Sequence, residues 1–119
     1  MADIEVGSII FYYHSSIYPP KNKYAVVISA VKKWCFLINS EDREHYHCLP
    51  IQKGNHAFLK HDSFISCSNF FEYDPSKVSK IVGALSKAEK SNLCNHLSKS
   101  RTINKVNKEI ILSELGLEI

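Results

Sequence analysis

Residues 24–39 read YAVVISAVKKWCFLIN, and this stretch decides the fold. Its two ends, 24–31 and 34–39, are rich in β-branched and aromatic residues. The first is apolar at successive positions, which is typical of a strand buried on both faces. Lys32 and Lys33 form a short polar break between the two ends. We therefore predict an antiparallel hairpin whose first strand is well buried.

Other short strands flank this hairpin in the sequence. The alternation of apolar and polar residues, with turn residues in between, predicts them. They lie at 5–14, 45–51, 58–59, 63–67 and 80–85. Pro50 marks an edge strand or a bulge, because proline has no N–H to donate to a ladder. Short antiparallel strands with frequent turns favour a small barrel, since closure removes the exposed edges.

The hydrophobic period changes after residue 85. Ser86 followed by Glu89 forms a capping box, which predicts a helix over about 87–99. Apolar residues at helical spacing predict a second helix over about 103–115. Strands first and helices last indicate an α+β protein, with roughly five to seven antiparallel strands followed by one or two C-terminal helices.

Length and charge set further limits. The chain has 119 residues, which fits a single domain over 1–119 with its barrel at about 5–85. The net charge of +3 permits a polyanionic partner without requiring one. No apolar run approaches the roughly 18–20 residues of a membrane span, and the acidic start lacks the positive charge of a secretory signal. We therefore expect a cytoplasmic protein with reduced cysteines and no membrane association.

Several segments of the chain share their order and spacing with one family of bacterial proteins. They are 6–10 (VGSII), 23–29 (KYAVVIS), 36–40 (FLINS), 62–65 (DSFI) and 81–86 (IVGALS). Each segment is weakly specific by itself, and the ordered set is moderately specific. Through these segments the sequence resembles the MazF/PemK toxins of type II toxin–antitoxin systems.

The resemblance implies a fold, an activity and partners. It implies an SH3-like barrel with C-terminal helices, a homodimer, cleavage of single-stranded RNA without metal or other cofactor, and an antitoxin that covers the active site. Lys23 stands where the family's cleaving members have arginine, and Ser8 stands where an acid is usual. The alternative is therefore a catalytically silent barrel that binds RNA or a protein. A second alternative is an unrelated small barrel with a structural or interaction role.

RNA cleavage without a metal needs three chemical groups. A base takes the proton of the ribose 2′-OH, a cation or oriented donors stabilise the charge at phosphorus, and an acid protonates the leaving oxygen. We predict that Lys23 is the cation, Ser40 a hydrogen-bond donor and His14 the base or acid. Each also has a structural interpretation: a solvated strand flank, a loop cap, and a strand-end histidine bonded to the backbone.

Further residues are predicted to bind RNA through hydrogen bonds, charge or stacking. They are Asn39, Arg43, His47, Tyr12, Tyr18 and Tyr24. Tyrosine rings stack on unpaired bases, which holds a single strand without many arginines. The alternative interpretation of the aromatic residues is a barrel core.

A metal site is the remaining possibility in the sequence. His45 and His47 share one face of a predicted strand, and Cys48 points to the other face. No second ligand pair has the spacing of a structural zinc site. We therefore expect no metal.

Overall fold

Seven strands and two C-terminal helices make up the part of the chain that the computed structural model describes, residues 3–15, 19–42 and 47–117. In chain order they are β1 (Ser8–His14), β2 (Lys21–Ser29), β3 (Trp34–Asn39), β4 (Leu49–Ile51), β5 (Ser63–Ile65), β6 (Phe71–Glu72), β7 (Val78–Ala84), α1 (Lys87–Ser98) and α2 (Lys105–Leu117). The strand pairings in this part are all antiparallel. The prediction of an α+β protein is confirmed.

The hairpin of β2 and β3 lies in the middle of the sheet. The sheet order is β4-β5-β3-β2-β1-β7, and β6 also pairs with β3. Strand β3 spans the predicted residues, whereas β2 begins at Lys21 rather than at residue 24. Two features fix the turn between them: Lys33 has a left-handed φ of 60°, and the Lys32 N–H donates to Ser29 Oγ at 3.0 Å.

The predicted barrel is not closed. The sheet path ends at β4 and β7, and no pairing joins these two strands within the described residues. Pro50 lies in β4 and has no N–H for a further strand, which agrees with its predicted edge position. Near the β7 end of the sheet, His56 lies between β7 and α1. The Nδ1 atom of His56 is 4.0 Å from the point where a β-carbon on Gly83 of β7 would lie, and its Nε2 is 2.7 Å from Glu89 Oε2 in α1.

Apolar side chains cover both faces of the central hairpin. On one face, the main core packs the strands against the helices, and its buried members include Ile9, Val26, Phe36, Leu93 and Ile111. On the other face, a second cluster includes Ile10, Tyr12, Val27, Cys35 and Tyr73. Neighbouring residues of a strand point to opposite faces, so two apolar clusters require the continuous apolar run seen in the sequence.

Local hydrogen bonds cap the start of both helices, and one side chain joins α2 to the sheet. The predicted capping box is present in α1, where Ser86 Oγ accepts from the Glu89 N–H and the Glu89 carboxylate accepts from the Ser86 N–H. At the start of α2, Asn104 Oδ1 accepts from the Asn107 N–H at 2.8 Å. Near the end of α2, Glu114 binds the turn of the central hairpin. Neither helix of the described chain combines the length and the apolarity needed to cross a membrane.

Three short stretches differ from the sequence prediction. Residues 58–59 are not part of a strand: Phe58 lies in a turn, and both residues pack in or against the main core. Of the predicted strand 45–51, Leu49–Ile51 is paired, and residues 45–46 lie outside the described chain. Strand β6 has two residues, too few for a periodic signal, and no predicted strand corresponds to it.

Candidate functional site

An open groove of about 550 Å³ lies beside the central hairpin. Three segments form its walls: the start of β2, the end of β3 with the two residues after it, and residues 58–63. Phe11 of β1 contributes to the floor. The groove therefore combines residues that are far apart in the sequence.

Strand register explains why these segments meet. Strand β3 pairs with β2 on one edge and with β5 on the other. Asn39 pairs with Phe64, so the next residues of this register, Ser40 and Ser63, lie side by side. On the opposite edge, the register continues to Lys23 beside Asn39. The structure thus brings the predicted residues Lys23, Asn39 and Ser40 into one groove.

Lys23 is held in the groove wall by a chain of side-chain hydrogen bonds. Its Nζ donates to Asn39 Oδ1 at 3.1 Å, and Asn39 Nδ2 donates to Ser66 Oγ at 2.5 Å. Because the amide of Asn39 uses its oxygen for one partner and its nitrogen for the other, its orientation is defined. These two hydrogen bonds set the position of the Lys23 ammonium before any ligand binds.

The groove carries more positive than negative charge. Three lysines, Lys21, Lys23 and Lys60, line the described walls, and Glu41 is the carboxylate among the lining residues. A cleft with a surplus of one charge focuses its field and attracts the opposite charge. A polyanion is therefore the class of ligand that this groove favours.

A row of three aromatic rings forms the apolar part of the groove. The ring centroids of Phe11 and Tyr24 are 4.6 Å apart, and those of Tyr24 and Phe58 are 4.8 Å apart. Each pair is tilted by 42°. Tyr24, one of the predicted stacking residues, is half-buried at the centre of this row. A groove lined by both aromatic residues and lysines suits a ligand that has flat bases and phosphates.

His14 and Tyr12, which are predicted site residues, lie outside the groove lining. Both are 2% exposed and face the second apolar cluster. The Tyr12 hydroxyl is 2.8 Å from His14 Nδ1, and Cys35 Sγ donates to the same hydroxyl at 3.6 Å. Burial lowers the pKa of His14, and the nearby charge of Lys23 lowers it further. His14 is therefore neutral near pH 7, and Tyr12 cannot stack on a base.

The predicted site residue His47 contacts His96 of α1 and lies outside the groove lining. Its ring stacks on the ring of His96 in α1, with centroids 3.8 Å apart. The Nε2 of each ring bonds the backbone carbonyl of the other residue, at 2.9 and 2.8 Å. These contacts join the segment before β4 to α1, and His47 is not among the residues that line the groove. Arg43 and Tyr18 lie outside the described residues.

Groove residues that the sequence analysis missed lie just before β5. Lys60 and His61 line the groove, and Lys21 does so at the start of β2. The sequence signal was a lysine–histidine pair two residues before a predicted strand. Without the knowledge that this strand pairs with β3, nothing in the sequence places the pair beside Ser40.

The His61 ring has a defined hydrogen bond. Its Nδ1 is 3.0 Å from the Asp62 carbonyl oxygen, which can only accept, so Nδ1 carries the proton. The side chain is exposed. Within the described chain, no three His, Cys, Asp or Glu residues are arranged to hold a metal ion. The residues that line the groove offer ammonium, hydroxyl, amide and imidazole groups to a ligand.

The chain was also compared with known proteins. No protein-family model matches it, and no curated protein matches it.

Proposed function

We propose that this chain is an endoribonuclease that binds single-stranded RNA in the groove and cleaves it without a metal. The observation that supports the proposal is that Lys23 and Ser40 both line one groove. Lys23 lies near the start of β2 and Ser40 follows the end of β3, so both lie at the open end of the central hairpin. We propose that they offer an ammonium and a hydroxyl to one phosphodiester. The resemblance to MazF/PemK toxins supports the same substrate.

Charge and aromatic surface support a single strand as the ligand. The three groove lysines attract phosphates, and the ring row around Tyr24 provides a surface for bases. Bases of a duplex are stacked and paired, so they cannot reach such rings. Unpaired RNA is therefore the better fit, and mRNA is the substrate that the resemblance implies.

The proposed reaction is attack by the 2′-oxygen on the adjacent phosphorus. A bond forms between the 2′-oxygen and phosphorus, and the bond from phosphorus to the 5′-oxygen breaks. The products are a 2′,3′-cyclic phosphate and a 5′-hydroxyl. Negative charge develops on the phosphoryl oxygens, where the Lys23 ammonium and the Ser40 hydroxyl stabilise it.

Fold, partners and location complete the proposal. We place the fold among SH3-like barrels, as an open version whose sheet ends at β4 and β7. The resemblance further supports a homodimer, a cytoplasmic location and a cognate antitoxin. The positive charge of the groove favours an acidic segment as the part of the antitoxin that covers it.

A cleavage assay tests the proposal. Single-stranded RNA is incubated with the protein in EDTA, and the products are separated on a gel. We expect cleavage to a cyclic phosphate, no cleavage of a 2′-deoxy strand, and a loss of about 10²-fold or more in Lys23→Ala and in Ser40→Ala. Lys32→Ala is the matched control, since this exposed lysine lies at the opposite end of β2 from the groove. Unchanged cleavage by both groove variants would contradict the site.

A silent RNA-binding module is the second candidate. Two observations favour it: Lys23 replaces the arginine of the cleaving relatives, and the predicted base His14 is buried outside the groove. Lysine lacks the planar fork with which arginine grips a phosphate. Binding of RNA without any cleavage in the same assay would establish this candidate.

A further inference from the structure

The proposed reaction needs a base, and the groove contains few groups that can act as one. The reaction also requires that the base reach the ribose of the bound strand. His14 does not line the groove. Among the lining residues described, His61 has an imidazole and Glu41 has a carboxylate, and both groups can act as a general base. An imidazole is ordinarily the stronger base of the two near neutral pH.

We infer that His61 is the residue that takes the proton from the ribose 2′-OH, an inference that rests on the proposed function. The tautomer follows from the geometry. Nδ1 donates to the Asp62 carbonyl at 3.0 Å, so the neutral ring has its lone pair on Nε2. The exposed ring lines the same groove as Lys23 and Ser40.

Local hydrogen bonds hold the backbone around His61. Ser63 Oγ donates to the His61 carbonyl oxygen at 3.1 Å, and Asp62 Oδ1 accepts from the Lys53 N–H at 2.8 Å. Ser63 is also the first residue of β5, which pairs with the end of β3. The backbone two residues after His61 is therefore held next to the end of β3 by a strand pairing.

The proposed cleavage step conserves protons and electrons. His61 Nε2 takes the 2′-OH proton as the 2′-oxygen bonds to phosphorus, and the ring becomes an imidazolium. The 5′-oxygen leaves with the electrons of its bond to phosphorus and takes a proton from water in the open groove. The imidazolium then returns its proton to water, so no oxidant or other reactant is needed. Lys23 and Ser40 carry the charge that develops on the phosphoryl oxygens.

Two variants and one small molecule test the role of His61. His61→Asn keeps a donor near the position of Nδ1 and removes Nε2, and His61→Ala removes the whole ring. We expect both to bind single-stranded 2′-deoxy oligonucleotide as the unmodified protein does and to cleave RNA about 10²- to 10⁴-fold more slowly. Added imidazole restores cleavage by His61→Ala, because it supplies the missing base. A structural role would not give this rescue.

The outcomes separate the two proposals. If the unmodified protein does not cleave RNA, whether or not it binds RNA, the proposed endoribonuclease function is wrong and the role of His61 is wrong with it. If the unmodified protein cleaves and His61→Asn cleaves at the same rate, the role of His61 is wrong and the proposed function stands. Loss of binding together with cleavage in both variants would assign His61 to binding and would also overturn its role as base.

Discussion

At the scale of single residues, burial separates the histidines into groups with different chemistry. His61 is exposed in the groove, whereas His14 is enclosed by Tyr12 and by the ring of Phe71, whose centroid is 4.7 Å away. His14 Nε2 has no hydrogen-bond partner in the described part of the chain. A buried polar atom without a partner disfavours the charged ring. The same residue type therefore has a structural role on one face of the sheet and a proposed catalytic role in the groove.

This difference predicts how stability depends on pH. Burial is the main cause of the lowered pKa of His14 and also of His96. In the unfolded chain both titrate near the ordinary value of 6.5, so the unfolded state binds protons first as the pH falls. We expect the free energy of unfolding, measured by urea titration, to decrease from pH 7.5 to pH 5.

A variant isolates the contribution of His14 to this decrease. His14→Gln cannot gain a charge at this position, so its stability should fall less steeply over the same pH range, although it is lower at pH 7.5. An equally steep fall in the variant would show that His14 does not contribute.

At the scale of elements, one carboxylate connects the last helix to the central hairpin. Glu114 of α2 accepts hydrogen bonds from the Ser29 hydroxyl, from the Ala30 N–H at 2.9 Å and from the Val31 N–H at 3.3 Å. The same Ser29 oxygen accepts from the Lys32 N–H. Turn N–H groups that would otherwise need water are thus satisfied by the helix. The helix and the hairpin therefore stabilise each other's position.

Replacement of Glu114 tests this connection. We expect Glu114→Ala to lower the free energy of unfolding by about 2 kcal/mol, because hydrogen bonds to a charged group are lost at a half-buried position. Glu109→Ala is the control, since Glu109 lies in the same helix and is exposed. Urea unfolding of both variants measures the difference. Equal stabilities would show that the connection is unimportant.

At the scale of the whole molecule, local features were predictable from the sequence and long-range ones were not. The central hairpin and the capped helix α1 follow from residue patterns within about a dozen neighbours. The open sheet does not, because it depends on which distant strands pair, such as β1 with β7. Lys23 and Ser40 could be predicted from the family resemblance and from their place at the ends of the hairpin. Lys60 and His61 could be assigned to the groove only once the pairing of β5 with β3 was known.

The position of His14 outside the groove lining has a physical explanation. The alternation along β1 puts His14 on the same face as Ile10 and Tyr12, and that face carries an apolar cluster. Its position at the end of the strand suggested nearness to Lys23, and the charge of Lys23 does act on it. Nearness along the sheet did not bring it into the groove lining, because the cluster encloses the ring.

A structure of the protein bound to a short single-stranded RNA tests the central claim most directly. The bound strand is an analogue of RNA with 2′-deoxy sugars, which lacks the attacking 2′-OH and so cannot be cleaved. We expect one phosphate within hydrogen-bond distance of both Lys23 Nζ and Ser40 Oγ, with a neighbouring base against the ring of Tyr24 and a ribose 2′-carbon facing His61. A strand bound elsewhere, such as along the outer surface of α2, with the groove empty, would contradict the account.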